Sequence, residues 1–293
     1  MIHVDLTRET RVPKPEWLKV KLPHGDDYER VKREVNTLCL NTVCQEALCP
    51  NLAECWGAGT ATIMILGDTC TRGCRFCNVK TGNPKGQVDW LEPVRVAEAV
   101  RDLGWKYLVV TAVDRDDLPD GGALIFANTV REIYERVPGS RVEILSGDYR
   151  GDVAALDIVL DAKPDVFAHN LETVRRLTPR VRDKRAKYDQ SLRILEHAKN
   201  RAPERYTKTS IMLGLGETDD EIEQAMEDAR AAGVDIFTMG QYLQPTKKHL
   251  PVETFIHPQR FTQLGELAKT KGFHQVVSSP LSRSSYHAEQ AFA

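Results

Sequence analysis

Six of the seven cysteines in this chain fall into two triplets, Cys44, Cys49 and Cys55, then Cys70, Cys74 and Cys77. Thiolate is the soft donor that zinc and iron–sulfur clusters both select. A closed zinc site normally takes four protein ligands, whereas a cubane cluster held by three thiolates keeps one iron open for another molecule. Three ligands, twice, therefore point to iron. None of the eight histidines stands at the short spacing of finger or ribbon sites, which makes a structural zinc pair the weaker reading. Disulfides would need an oxidising compartment, and residues 1–10 carry charges in place of the apolar run that heads an exported chain. A reducing, cytoplasmic location is expected. Cys39 belongs to neither triplet, and its expected state is a buried free thiol packing as a small hydrophobe.

Such ligands need a scaffold, and from residue 61 onward short apolar runs alternate with longer amphipathic ones. Segments 61–66, 107–113, 141–145, 165–168, 207–213 and 235–239 read as strands; 93–103, 121–136, 153–161, 188–200, 218–232 and 258–270 read as helices. Six consecutive β/α units imply parallel strands with right-handed crossovers, hence a doubly wound sheet or a complete or partial barrel. Both place ligands at the carboxyl ends of the strands. The second triplet follows the first strand directly through Gly67, Asp68 and Thr69, so it sits at that end. Its spacing, C-x3-C-x2-C, keeps three thiolates on one compact loop, with Phe76 before the last to shield a cluster from solvent.

At 293 residues the chain can bury a large core. A net charge of −2 with 28% charged residues offers no excess to bind nucleic acid or a membrane surface. No apolar run approaches the roughly 18 residues of a transmembrane helix. The first 60 residues differ in character: Pro13, Pro15 and Pro23 lie in a polar extended stretch, and 28–38 has helix-like apolar spacing before the first triplet. This part reads as an appended arm.

On the loop Cys70-Thr-Arg-Gly-Cys-Arg-Phe-Cys77 after the first strand, the chain resembles the radical S-adenosylmethionine (SAM) superfamily. The resemblance implies a partial (β/α)6 TIM barrel. In it the open iron chelates the amino and carboxylate groups of SAM, and an electron from the reduced cluster cleaves the sulfonium to methionine and a 5′-deoxyadenosyl radical. Cofactor contacts are then expected from Phe76, from Gly121 and Gly122 after the second strand, and from Asn170 and Glu172 after the fourth. Gly214 and Glu217 after the fifth, and Gln241, complete the expected set. Glycine lets backbone approach a ligand closely. The plain alternatives are a turn at Gly121-Gly122 and a helix cap at Asn170 and Glu172.

The first triplet, C-x4-C-x5-C within Thr42-Val-Cys-Gln-Glu-Ala-Leu-Cys-Pro-Asn-Leu-Ala-Glu-Cys-Trp56, matches no common ferredoxin pattern. It resembles the lipoyl synthase family, and so do Val113-Asp-Arg-Asp-Asp-Leu-Pro-Asp-Gly-Gly-Ala123, His169-Asn-Leu-Glu-Thr-Val174, Met212-Leu-Gly-Leu-Gly-Glu-Thr218, Gly240-Gln-Tyr-Leu-Gln-Pro-Thr246 and Arg283-Ser-Ser-Tyr-His-Ala288. The likeness covers essentially the whole chain. It implies three parts: an extension (1–60) carrying an auxiliary 4Fe–4S cluster on Cys44, Cys49 and Cys55, a radical SAM barrel (61–273) with the Cys70, Cys74, Cys77 cluster, and a C-terminal segment (274–293). In the last, Ser285 rather than Ser284 is the implied fourth auxiliary ligand. The implied enzyme is a sulfurtransferase. It inserts two sulfur atoms from the auxiliary cluster at C6 and C8 of an octanoyl-lysine, with one SAM consumed per carbon.

Partners implied by the resemblance are octanoylated lipoyl carrier domains (2-oxoacid dehydrogenase E2 subunits, the glycine cleavage H protein) and an electron donor such as flavodoxin or ferredoxin. Lys208, Lys247, Lys248 and Arg175 are candidates to meet an acidic carrier surface. Another radical SAM enzyme with an auxiliary cluster is the alternative. A two-cluster electron carrier is a third reading, against which the barrel-sized body argues.

Overall fold

In the computed structural model, residues 13–20, 25–286 and 288–289 are described; residues 1–10, Pro23 and His287 of the features above lie outside them. The arm contributes helix α1 (Asp26–Thr37), strand β1 (Asn41–Thr42) and two short helices, α2 (Val43–Glu46) and α3 (Leu52–Gly57). The body then alternates as its hydrophobic pattern requires. Strands β2 (Thr62–Ile65), β5 (Tyr107–Ala112), β6 (Arg141–Leu145), β7 (Val166–Ala168), β8 (Tyr206–Leu213) and β9 (Ile236–Gln241) coincide with the six expected runs. A two-stranded ribbon, β3 (Thr69–Cys70) and β4 (Lys80–Thr81), brackets the second cysteine loop. Helices α4 (Glu92–Leu103), α5 (Ala123–Arg136), α6 (Val153–Asp161), α7 (Thr178–Val181), α8 (Tyr188–Arg201), α9 (Asp219–Ala231) and α10 (Pro258–Thr270) follow the strands.

The sheet order is β1-β2-β5-β6-β7-β8-β9-β10, where β10 is Gln275–Ser278. All pairs are parallel except the edge pair, in which Asn41 faces Met64 and Thr42 faces Ile63 antiparallel. No pairing joins β1 to β10, so the barrel is partial. The strand β10 is a seventh parallel strand beyond the six expected. It is short and only half-buried, so it lacks the continuous apolar run that marks the others.

Local sequence explains the helix boundaries. Helix α9 starts at a capping box: Thr218 Oγ1 accepts from Glu221 N–H (3.3 Å) and Glu221 Oε2 from Thr218 N–H (2.9 Å). Helix α6 starts at Asp152, whose carboxylate accepts from the N–H groups of Ala154 and Ala155. The core between helices and sheet includes Phe126, Phe167, Phe237 and Phe261, all buried, each stabilising the fold by about 1.5–3 kcal/mol through apolar burial.

Two expectations are corrected. Cys39 is exposed, not buried. It sits just past α1 in a left-handed conformation (φ 51°), with its N–H bonded to Asn36 O and the next N–H, of Leu40, bonded to Val35 O. This terminating turn sends Leu40 into the core in its place. Lys208 does not reach the surface. It is buried against Glu143 (2.9 and 3.0 Å), which also accepts from Tyr107 Oη, while Arg175 is held by Asp189 and Asp228.

Candidate functional site

The second cysteine loop leaves β2 through two left-handed residues, Leu66 and Gly67, and lies at the carboxyl end of the sheet. It is tied down at every turn. Gly82 N–H bonds to Cys70 O (2.9 Å), Cys77 N–H to Cys74 O (3.1 Å), and the Arg72 and Asp183 amides donate to Cys70 Sγ (3.4 Å) and Cys74 Sγ (3.3 Å). Arg72, buried inside the loop, anchors it to the barrel. Its guanidinium donates twice to Asp116 (2.8 and 2.9 Å) after β5 and pairs with Asp148 (2.7 Å) after β6. Burial would raise the Asp148 carboxyl, but Arg72 outweighs it and holds the group at about 2.

The first triplet lies on the arm, between β1 and the end of α3, where Cys49 N–H bonds to Cys44 O (3.1 Å) and Cys55 N–H to Asn51 O (2.9 Å). The C-terminal segment crosses to it from β10. Gln241 N–H bonds to Pro280 O, Asn51 Nδ2 donates to Leu281 O (2.7 Å), and Tyr286 Oη donates to Glu54 (2.7 Å). The crossing passes directly over Gly240, where an added Cβ would stand 2.0 Å from Ser282 O. Only glycine permits that approach. Gly240→Ala is therefore expected to lift the segment, costing about 1–3 kcal/mol as an overpacked contact. Limited trypsin digestion reads the effect, with cleavage at Arg283 several-fold faster than in the unsubstituted chain.

One cavity of about 620 Å³ joins these parts, within the range of small-ligand sites. Its wall takes Cys70, Cys74, Cys77 and Phe76 from one loop, Cys49 from the other, and Arg283, Ser284 and Ser285 from the C-terminal segment. Cys44 is buried behind it, with Cys49 and Cys55 only partly exposed. Of the residues expected to hold cosubstrate, Asn170, Glu172 and Gln241 also line it. No helix begins at Asn170; Glu172 adopts a left-handed conformation (φ 67°) and bridges to Ile211. Gln241 is spent on backbone, its Nε2 donating to Leu213 O, Tyr242 O and Thr254 O and its Oε1 accepting from Ile256 N–H. Gly121, Gly122, Gly214 and Glu217 stand outside the wall. A Cβ on Gly122 would meet Leu66 at 2.3 Å, one on Gly214 would meet Gln241 at 2.2 Å, and Glu217 accepts from the Gly214 and Leu215 amides.

The donor set fits the two groups the spacing implies. All seven cysteines are free thiols. Burial pushes Cys44 up to about 11 and Cys55, Cys74 and Cys77 up to about 12, with neighbouring thiols of the same triplet adding to the rise. Buried thiols raised in this way ionise when a metal supplies the opposite charge. Among the described residues no three His, Cys, Asp or Glu side chains converge as a single ion would require. A cubane does not require it, because each thiolate binds a separate iron. For a zwitterionic cosubstrate, Asn170 Oδ1 and Arg182 Nε are buried in the wall without a partner among the described residues, and the Glu172 carboxyl is pushed up by burial beside them.

Sequence reasoning missed Arg182 and His169 as wall residues. His169 is buried, bonded to Ser146 O and Ser191 Oγ (2.8 Å each), and burial lowers it to about 4, so it stays neutral. Nothing in the spacing of either residue singles it out, since what recruits them is the meeting of separate strand ends.

Comparison with known proteins supplies an independent view. The radical SAM superfamily model matches residues 64–229, and the model for the N-terminal domain of lipoyl synthase of the radical SAM family matches residues 2–49. The chain is similar to the lipoyl synthase of Thermus thermophilus (58% identical, covering 95% of this chain and 86% of that one). It is also similar to that of Myxococcus xanthus (56% identical, covering 98% and 95%). Among solved structures it is similar in fold to methylornithine synthase, with a TM-score of 0.55 at 16% identity over 77% of this chain and 73% of that one.

Proposed function

The chain belongs to the lipoyl synthase family of the radical SAM superfamily, and from that premise we propose how its residues divide the work. The activity is insertion of two sulfur atoms, at C6 and C8, into a protein-bound octanoyl-lysine, with two 4Fe–4S clusters and SAM as cofactors. Cys70, Cys74 and Cys77 hold the cluster that binds SAM. Cys44, Cys49, Cys55 and Ser285 hold the auxiliary cluster. Domain limits of 1–60, 61–273 and 274–293 follow from that division. The observation that carries the assignment is the shared cavity, whose wall includes Cys49 and Ser285 together with the whole second triplet.

When bound, the SAM cluster and its cosubstrate supply a hydrogen-abstracting radical, and the auxiliary cluster supplies sulfur. The chain's own residues confine that chemistry. Phe76, Met64, Met212 and Leu243 give the cavity an apolar lining that suits an acyl chain and keeps water from a reactive carbon. Asn170, Glu172 and Arg182 present an acceptor, a carboxyl and a donor to the amino acid end of SAM. Arg72 fixes the cysteine loop against the strand ends, so its thiolates are preorganised. Ser285 is a harder donor than thiolate, and so the ligand most readily released from iron.

Carrier domains bearing the octanoyl-lysine are the substrates of this family. As specific partners we assign 2-oxoacid dehydrogenase E2 subunits and the glycine cleavage H protein, with flavodoxin or ferredoxin as electron donor, in the cytoplasm. Among the described residues no helix is long and apolar enough to cross a membrane. The test is anaerobic incubation of the reconstituted protein with an octanoyl-lysyl peptide, SAM and dithionite. Mass spectrometry should find a product that has gained two sulfurs as a dithiol, each C–H becoming C–SH, with two molecules of 5′-deoxyadenosine for each. Cleavage of SAM with no sulfur in the peptide, across several carrier sequences, would shift the reading to another radical SAM reaction.

A further inference from the structure

Outside the cavity, two basic segments flank the Cys70, Cys74, Cys77 loop. Arg75 N–H donates to Val181 O (2.9 Å), and Leu250 N–H donates to Arg75 O (3.2 Å). His249 Nε2 meets Cys77 O (2.9 Å), and Asp183 N–H meets Cys74 Sγ (3.3 Å). The loop and these two segments expose Arg75, Lys184, Lys187, Lys247 and Lys248. None of the five forms an ion pair among the described residues, and they stand together on three joined segments, whereas other exposed cations without a pair, such as Lys106, Lys163 and Arg193, are scattered along the chain. Residues 70–80, 181–187 and 244–250 contain one acid, Asp183, and Arg185 holds it (2.8 Å). In a chain of net charge −2 this is a local field, not a property of the whole surface.

None of these five cations lines the cavity, whose exposed rim is Lys14, Val20, Leu48 and Thr81. The five cations thus stand outside the wall that takes the acyl substrate. We propose that the cationic face docks a small acidic one-electron carrier protein, at the Asp183–Lys184 corner that touches Cys74, while the acylated domain occupies the rim. This rests on the functional reading above, because only a cluster that must be reduced while substrate is bound needs a second entrance. The docked donor loses one electron and the cluster gains it; no bond forms or breaks. Unpaired cations steer an acidic partner by long-range attraction, which raises association rates 10- to 1,000-fold at low salt and fades as salt screens it.

The test uses the reconstituted holoenzyme and two double variants, Lys184→Glu with Lys187→Glu and Lys247→Glu with Lys248→Glu. Reduced acidic flavodoxin is the probe. Fluorescence anisotropy of labelled flavodoxin measures binding, stopped-flow absorbance measures cluster reduction, and dithionite replaces flavodoxin in a parallel arm. In either double variant, flavodoxin binding and the reduction rate at low salt should fall at least tenfold, with a shallower salt dependence. Dithionite-driven SAM cleavage and the KM for octanoylated carrier should hold. Unchanged flavodoxin binding would overturn the proposal. So would a rise in carrier KM with flavodoxin reduction intact, which would assign the face to the substrate domain. Failure of the unsubstituted enzyme to cleave SAM with dithionite would instead overturn the functional reading, and the anisotropy arm would still decide the docking.

Discussion

Cys74→Ala is expected to reduce SAM cleavage to the level of a protein-free control. Three thiolates are the least that can hold a cubane while leaving one iron for the cosubstrate, so the loss of one removes the site and not merely its efficiency. Cys74 is the sharpest of the three to test, because its sulfur accepts the Asp183 amide from outside the loop (3.3 Å), while Arg72, two residues before it, anchors the loop to Asp116. Serine at this position keeps an acceptor for that amide but offers a hard donor to soft iron, and it should fail as alanine does. The measurements are 5′-deoxyadenosine released under dithionite and bound iron. Iron should fall from about eight to about four per chain, the remainder held by the first triplet. Cleavage at the unsubstituted rate would remove the second triplet from the proposed role.

Cys49→Ala should separate cleavage from sulfur transfer. The variant is expected to retain four irons on the second triplet and to cleave SAM, yet to form no carbon–sulfur bond. A carbon radical needs a sulfur donor within bonding reach, and a donor fixed beside it has an effective concentration that dissolved sulfide cannot match, up to about 10⁵ M or more. Cys49 is the member of its triplet that reaches the cavity wall, which makes it the most direct of the three to substitute. With ³⁴S in the reconstituted clusters of the unsubstituted protein, the label should appear in the thiolated peptide. Ser285→Ala should impair transfer more than cluster assembly. Full product from Cys49→Ala, or unlabelled product from labelled clusters, would make the first triplet structural or electron-relaying.

Much of this was legible before any coordinates. Six strands and their helices could be read because buried parallel strands are continuous apolar runs and the helices between them are amphipathic. The cysteine loops were legible because ligand spacing is local. What escaped depends on distant segments meeting. Arg182 is an ordinary arginine in a basic stretch until α7 delivers it to the cavity, where it bonds Leu171 O and Ser191 Oγ. Gln241, expected to contact cosubstrate, lines the wall, but the backbone of three separate segments uses its amide. The role of Gly240 was illegible because the carbonyl that demands it belongs to Ser282, on a crossing with no sequence signature of its own. Cys39 misled because residue type suggested burial while the end of α1 dictated the opposite.

The bond from Asn51 to the carbonyl of Leu281 spans 230 positions of sequence. During synthesis the chain emerges from its N-terminal side and folds unit by unit, so contacts of short separation form while it is still attached to the ribosome. The Cys70, Cys74, Cys77 loop starts beside its first strands, but its ties to Asp183 and His249 form only once those later segments have been made. The other triplet waits longer still, because Leu281, which bonds Asn51, and Ser285 come after all of these in sequence. The two metal centres therefore have an intrinsic order of completion, in which the three cysteines made first are the last to be closed over.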